Sequence, residues 1–280
     1  MDPVDALIAR AARAAAGLPA GGDVAFVAAS YDTAFEPIAD QVAAKISQLQ
    51  QILGRGPTAR WRLVLVDDTP QPGPFATEAA AGIARHAADA HRAQLISLPG
   101  VGRTFEGLKG RALRAGFAEA LRGAPAAVTY LNLNLKVDAR LAALGLGPVL
   151  RGEVDAAIGS RAARDGGIVR GAGAPGRAKS RAYSRLARLA LPPLAAFGDQ
   201  NAPLKIFSPR AAALIVERGR IDRAAFDCEW LMLLHGAGLV SVRFPIAWVQ
   251  RRGSHPPWHL VGPSLTDLAR VRSRWRRGEL

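Results

Sequence analysis

Short apolar runs alternate with longer segments whose apolar residues recur at helical spacing, and this rhythm most narrows the folds open to the chain. Val24 to Ala29 is apolar and leads into Ser30-Tyr31-Asp32. From Glu36 to Leu53, Ile38, Val42, Ile46, Leu49 and Leu53 then fall every three to four residues, which is the pattern of a helix with one buried face. Arg62 to Val66 repeats the strand pattern and ends in Asp67-Asp68-Thr69-Pro70, and a helix pattern follows from about Phe75 to Ala90. Gln94 to Leu98 reads as a third strand and Gly107 to Leu121 as a helix whose Leu108, Ala112, Ala115 and small neighbours allow close packing on a sheet. A fourth strand, Ala126 to Leu131, runs into Asn132-Leu133-Asn134. Strands and helices of these lengths in alternation imply parallel pairing through right-handed crossovers, with helices over both faces of the sheet. The expected class is α/β, with a mostly parallel central sheet flanked by helices.

In such sheets ligands bind beyond the carboxyl ends of the strands. The polar residues fall there: Tyr31-Asp32, Asp67-Asp68 and Asn132-Asn134 each follow a strand, so three distant segments converge on one edge. Asp and Asn in those places also serve as helix caps, so the pattern admits both readings. The doubled acid at Asp67-Asp68 is one more than a cap requires.

The rhythm changes after a fifth strand, Val154 to Ile158, which leads into Gly159-Ser160-Arg161. A Gly/Arg-rich stretch from Ala162 to about Lys179 reads as a mobile loop, and a helix is expected from about Ser180 to Leu191, where Pro192-Pro193 ends it. Two more strands, Leu204 to Phe207 and Leu239 to Phe244, are separated by helical stretches at Pro209 to Arg218 and near Glu229 to His235. The segment Gly171-Ala172-Gly173-Ala174-Pro175-Gly176 matches the glycine pattern of dinucleotide-binding turns. It is set aside because its approach is polar and glycine-rich, where that motif needs a buried strand running into a helix. The organisation read from the chain is an N-terminal helix over 1–22, one α/β domain over 23–262 and a basic helix over 263–280.

A formal net charge of +14 over 280 residues attracts phosphorylated molecules, anionic membrane surfaces and nucleic acid alike. The arginines cluster at Arg170 to Arg188, at Arg251 and Arg252, and from Arg270 to Arg277. The last cluster, with Trp275, lacks a reading motif or an aromatic series for stacking, so no nucleic-acid partner is expected. The single cysteine, Cys228, excludes an internal disulfide and a cysteine metal cluster and fits a cytoplasmic location. The five histidines show no paired-ligand spacing. No run reaches membrane-spanning length, and Asp2, Asp5, Arg10 and Arg13 interrupt the alanine-rich start as no secretory leader would allow.

The order of motifs from about Val24 to Ser254 resembles family 2 glycosyltransferases of the GT-A fold, in particular the dolichol-phosphate mannosyltransferase-like branch. Val66-Asp67-Asp68-Thr69 is similar to that family's VDDGS element, and Tyr31-Asp32 to its first-strand YN pair, with Ala29 in place of the usual proline and Thr33 in place of Glu. Gly107 to Gly116 resembles its G-K-G-x-A-x-x-x-G helix start, which places Lys109 toward the nucleotide. Gly159-Ser160-Arg161, Asp199 to Phe207, Phe226-Asp227-Cys228-Glu229 and Arg252-Gly253-Ser254 follow in the family's order. The resemblance implies a nucleotide-diphosphate sugar donor held by Tyr31, Asp32, Asp67, Asp68, Lys109, Asn132, Asn134, Arg161, Arg251 and Arg252. It further implies an acidic base beside the acceptor, with Asp227 favoured over Asp199 and Glu229, and cations for the leaving diphosphate that also include Arg170 and Arg177. The acceptor class it implies is a small molecule or a polyprenyl phosphate, and contact with a membrane surface and a homodimer are both compatible with it.

One departure bears on the chemistry. Where the family carries Asp-x-Asp for the divalent ion, this chain has Asn132-Leu133-Asn134. An amide oxygen ligates a metal without supplying negative charge, and hard cations such as Mg²⁺ or Mn²⁺ are held by at least one carboxylate. Asn134 is the sole candidate ligand, weak metal binding or none is expected, and arginine and lysine are expected to supply the missing charge. Asp138, four residues on, is equally placed to cap the helix starting near Ala139. The competing expectation is a non-catalytic relative that binds a nucleotide or nucleotide sugar.

Overall fold

The computed structural model describes residues 1–30, 37–55, 58–67, 75–98, 109–171, 173–223, 225–250 and 261–280. Tyr31, Asp32, Asp68, Arg251 and Arg252, and the side chain of Arg177, lie outside the described residues.

β1 (Val24–Ser30) pairs in parallel with β2 (Trp61–Asp67) in a register that runs from Val24 opposite Trp61 to Ser30 opposite Asp67. β3 (Ala93–Ser97) continues the parallel sheet beyond β2, and β4 (Ala127–Leu131) pairs in parallel with β1 on its other side. The carboxyl ends of β2, β1 and β4 therefore lie side by side. β5 (Ala156–Ser160), β7 (Leu204–Phe207) and β8 (Ser241–Pro245) complete seven strands in the order β3-β2-β1-β4-β7-β5-β8. β7 runs antiparallel to both its neighbours, while β5 and β8 pair in parallel. The sheet is thus mostly parallel, as expected, with one reversed strand, β7, in its interior.

The helices follow from their apolar faces. α2 (Ile38–Leu53) buries Ile38, Val42, Ile46, Leu49 and Leu53, the face read from the sequence. α4 (Lys109–Arg122) lies close on the sheet because Gly116 leaves room: a Cβ there would stand 2.3 Å from Val27 Cγ1 and 2.9 Å from Val66 Cγ2. α1 (Pro3–Ala16) starts where Asp2 accepts the Val4 backbone N–H at 2.8 Å, and it inserts Leu7 and Ala11 into the core. α9 (Phe226–Gly236) is buried all along Phe226–Leu234, and α10 (Val261–Arg276), which packs against it, buries Leu268 and Val271 in the core.

Three expectations are corrected. α3 (Phe75–Ala84) ends six residues early, and the chain forms a 3₁₀ turn at Ala87–Arg92, where buried Asp89 accepts from Gln50 Nε2 of α2 at 2.9 Å. A contact across the fold, absent from any local pattern, holds that turn. The fifth strand begins two residues late, at Ala156, because Asp155 instead donates its N–H to the Val240 carbonyl at 2.8 Å. The Gly/Arg-rich stretch is not a loop throughout. It holds β6 (Ile168–Arg170), paired with β9 (Ala247–Val249) in a separate two-stranded ribbon, and then α6 (Ala174–Ala190). A proline in the first turn of α6 needs no helical N–H, so the helix starts at Ala174, not Ser180. The glycine motif does open a helix, then, but the strand before it is short and lies outside the central sheet. α5 (Ala143–Leu150), the one-turn α7 (Leu194–Phe197) and α8 (Pro209–Arg218) fill the remaining faces.

Candidate functional site

At the carboxyl edge of β4, Asn132 takes two donors on one oxygen. Lys109 Nζ, from the first residue of α4, donates to Asn132 Oδ1 at 2.5 Å, and the Tyr130 hydroxyl donates to the same atom at 3.0 Å. Asp67 ends β2 on this edge and is 8% exposed. Asp67, Lys109 and Asn132 therefore share one end of the sheet.

Tyr130 is the hub of a buried polar cluster. Lys109 Nζ lies 5.1 Å from its ring centre and Lys205 Nζ lies 5.3 Å from it, within range for cation–π attraction. Phe226 and Trp230 of α9 close over the same ring at 5.9 and 6.4 Å. Lys205, fully buried in β7, donates to Asp227 Oδ1 and to the Ala202 carbonyl. Two ammonium groups thus flank one carboxylate.

Burial lowers the Lys109 pKa to about 8, with the Asp227 carboxylate opposing the shift. Burial also raises Asp227 above its ordinary pKa despite the pull of Lys205 and Lys109. Such a carboxylate is a better proton acceptor than a surface aspartate.

The other two acids serve differently. Asp199 receives a guanidinium fork from Arg161, Nε to Oδ2 at 2.7 Å and Nη2 to Oδ1 at 2.8 Å, and the Arg161 backbone N–H at 3.1 Å. Burial pushes Asp199 up, yet the Arg161 contacts outweigh it and hold the group below its ordinary pKa. Its oxygens are engaged by a cation, which makes it an anchor for Arg161, and Arg161 in turn lies 5.9 Å from the Trp248 ring centre. Glu229 is 0% exposed and accepts from the backbone N–H groups of Arg220 and Ile221 at 2.9 and 2.8 Å and from the Arg274 guanidinium. Its charged neighbours are Arg274 and Arg114, not the lysines of the strand tips. The helix register explains this separation, because residues two apart on α9 point to different sides. Arg170 is likewise spent elsewhere, on Asp2 at the start of α1, at 2.5 and 2.6 Å.

A divalent ion does not fit these residues. The Asn132 oxygen already carries an ammonium and a hydroxyl, and the Lys109 charge repels a cation at the same atom. Asn134 Oδ1 faces the Lys136 backbone N–H at 3.4 Å. Asp138 caps the turn at Ala139–Ala142, accepting from the Arg140 N–H at 2.9 Å, and also pairs with the Arg140 side chain. Among the described residues no group of three or more His, Cys, Asp or Glu stands where a metal could be held.

Sequence reasoning missed Tyr130 and Lys205. The signal was present: a lysine inside the buried run Leu204–Phe207 and a tyrosine inside Ala127–Leu131 each require a partner in the interior.

No family model matches the chain and no curated protein sequence matches it. Among solved structures it is similar to glucosyl-3-phosphoglycerate synthase from Mycobacterium tuberculosis. With the form bound to uridine diphosphate it shares 14% identity and a TM-score of 0.61, over 95% of this chain and 84% of that one. With the form bound to Mn²⁺, uridine-diphosphate-glucose and phosphoglyceric acid it shares 15% identity and a TM-score of 0.62, over the same shares. With the form bound to Mn²⁺ and uridine-diphosphate-glucose alone the figures are 17% and 0.61, over 95% and 82%. The chain has the GT-A fold of these nucleotide-sugar transferases.

Proposed function

We propose that the protein transfers a sugar from a nucleotide-diphosphate sugar to an acceptor hydroxyl, with Lys109 supplying at the diphosphate the charge that a metal ion supplies elsewhere. The observation that carries this reading is the Lys109 ammonium seated on Asn132, the place where the family resemblance implies a carboxylate-bound cation. The fold shared with transferases solved with uridine-diphosphate-glucose supports the donor class.

In this reading Tyr31, Asp32, Asp67 and Asp68 hold the base and ribose, and Lys109, Arg161, Arg251 and Arg252 face the diphosphate. The acceptor oxygen attacks the anomeric carbon as the bond from that carbon to the diphosphate oxygen breaks, and the electron pair leaves on the diphosphate. Asp227 takes the acceptor proton, and Lys109 stabilises the developing negative charge. Asp199 positions Arg161. The acceptor is a small molecule, and the neighbours solved with phosphoglyceric acid support an anionic one. The transferase domain spans 23–262, flanked by α1 and α10. Among the described residues no helix is long and apolar enough to cross a membrane.

A second reading, a nucleotide-sugar-binding protein without turnover, is favoured by one observation: Asp199, Asp227 and Glu229 all face cations. Purified protein with uridine-diphosphate-glucose, chelator and candidate acceptors separates the two. Donor turnover with chelator present supports metal-independent transfer. Turnover abolished by chelator and restored by Mn²⁺ rejects the role given to Lys109. Binding without turnover of any donor selects the second reading.

A further inference from the structure

A second cationic site lies away from the strand tips. Between the 220–223 segment and α10 is a cavity of about 430 Å³, whose lining holds five arginines, Arg220, Arg223, Arg270, Arg274 and Arg277, and two carboxylates, Asp222 and Asp267. None of Lys109, Asn132, Lys205 or Asp227 lines it. Its size falls within the range of small-molecule sites.

Among the described residues, arginines outnumber carboxylates in and around this cavity. Asp222 pairs with Arg114, and Asp267 accepts from both Arg223 at 2.8 Å and Arg270 at 3.3 Å. Arg274 pairs with Glu229 and Glu279, and Arg277 with that same Glu279 at 2.5 Å. Arg220 spends Nη1 on the neutral carbonyls of Glu217 and Gly219 at 2.9 and 2.8 Å. Among the described residues, six guanidiniums here, Arg114 included, thus share four carboxylates. The surplus is close to the charge of one phosphate group, and guanidiniums bind phosphate through paired, directional hydrogen bonds.

We propose that this cavity is a second anion site that takes a phosphorylated small molecule. Its wall also touches the strand-tip site: the Asp222 carbonyl accepts the Gly110 N–H at 2.7 Å, one residue from Lys109. Glu229, two residues from Asp227, accepts the N–H groups of Arg220 and Ile221. The segment lining this cavity is thus hydrogen-bonded to the starts of both α4 and α9.

The test uses pyrophosphate as probe, titrated by calorimetry into the full chain. Lys109→Ala serves as background, so that binding at the strand tips is suppressed. Pyrophosphate is expected to bind this variant, and adding Arg220→Gln and Arg270→Gln is expected to weaken it by about tenfold or more. Arg270→Gln alone, at a side chain 63% exposed, removes one cation with little risk to folding and is expected to weaken binding by a smaller factor. No binding to the Lys109→Ala protein, or binding unchanged by the arginine substitutions, overturns the proposal. Co-sedimentation with phosphatidate vesicles separates the source of the phosphate: vesicle binding that needs Arg220 and Arg270, without pyrophosphate binding, also overturns it in favour of a lipid headgroup. Failure of uridine diphosphate to bind the wild type, with pyrophosphate still bound here, sinks the strand-tip reading and leaves this one standing.

Discussion

If Lys109 replaces a metal ion, nucleotide binding must follow the protonation of one lysine. Burial sets its pKa at about 8, well below the value of an exposed lysine, so the cation is present below pH 8 and lost above it. The charged fraction falls from roughly nine-tenths at pH 7 to roughly one-tenth at pH 9, so affinity for uridine diphosphate falls about tenfold across that interval if the charged form alone binds. The terminal phosphate of the ligand has a second pKa of about 6, and its own ionisation is nearly complete before the interval begins. The assay is calorimetric titration with uridine diphosphate at pH 7, 8 and 9 with chelator present. Lys109→Arg, charged throughout, is expected to flatten the profile, and Lys109→Ala to give weak binding at every pH. Asn132→Asp places a carboxylate 2.5 Å from the ammonium and is expected to move the fall to higher pH, because an opposite charge favours the charged lysine. A flat wild-type profile, or the same slope in Lys109→Arg, refutes the assignment.

Three further outcomes are expected. Asp227→Ala leaves the fully buried Lys205 ammonium without its counter-charge and should cost about 3–5 kcal/mol in urea unfolding, and a loss under about 1 kcal/mol would mean that the pair does not hold β7 to α9. Glu229→Gln should lower the melting temperature through the loss of the Arg274 pair, while turnover per folded molecule stays near wild type; inactivation as deep as that of Asp227→Asn would return Glu229 to the catalytic set. Gly116→Ala should destabilise by about 1–3 kcal/mol by driving a methyl group into Val27 and Val66, and a neutral result in chemical denaturation would show that α4 can lift from the sheet at no cost.

Much of the architecture was legible because its code is local. The short apolar runs that marked Val24 to Ala29 and Arg62 to Val66 as strands, and the 3.6-residue period that marked Glu36 to Leu53 as a helix, are properties of each segment by itself, set by the geometry of strand and helix. The same alternation placed Asp67 and Asn132 at one end of the sheet, since parallel strands share an edge, while Lys109 was placed toward them by the family resemblance alone. Local pattern did not reach the contacts between distant segments. The reversal of β7, the 3₁₀ turn held by Asp89 and Gln50, and the ribbon of β6 with β9 each depend on partners remote in the chain.

The roles of the charged residues divide in the same way. The family resemblance could name Asp199, Asp227 and Glu229 as acids near a site, but whether an acid accepts a proton or holds an arginine depends on which cation stands opposite. Arg161 comes to Asp199 from 38 residues away, and Arg274 to Glu229 from 45. A carboxylate's pKa is set by burial and by charges within a few ångströms, and those neighbours exist only once the chain has folded.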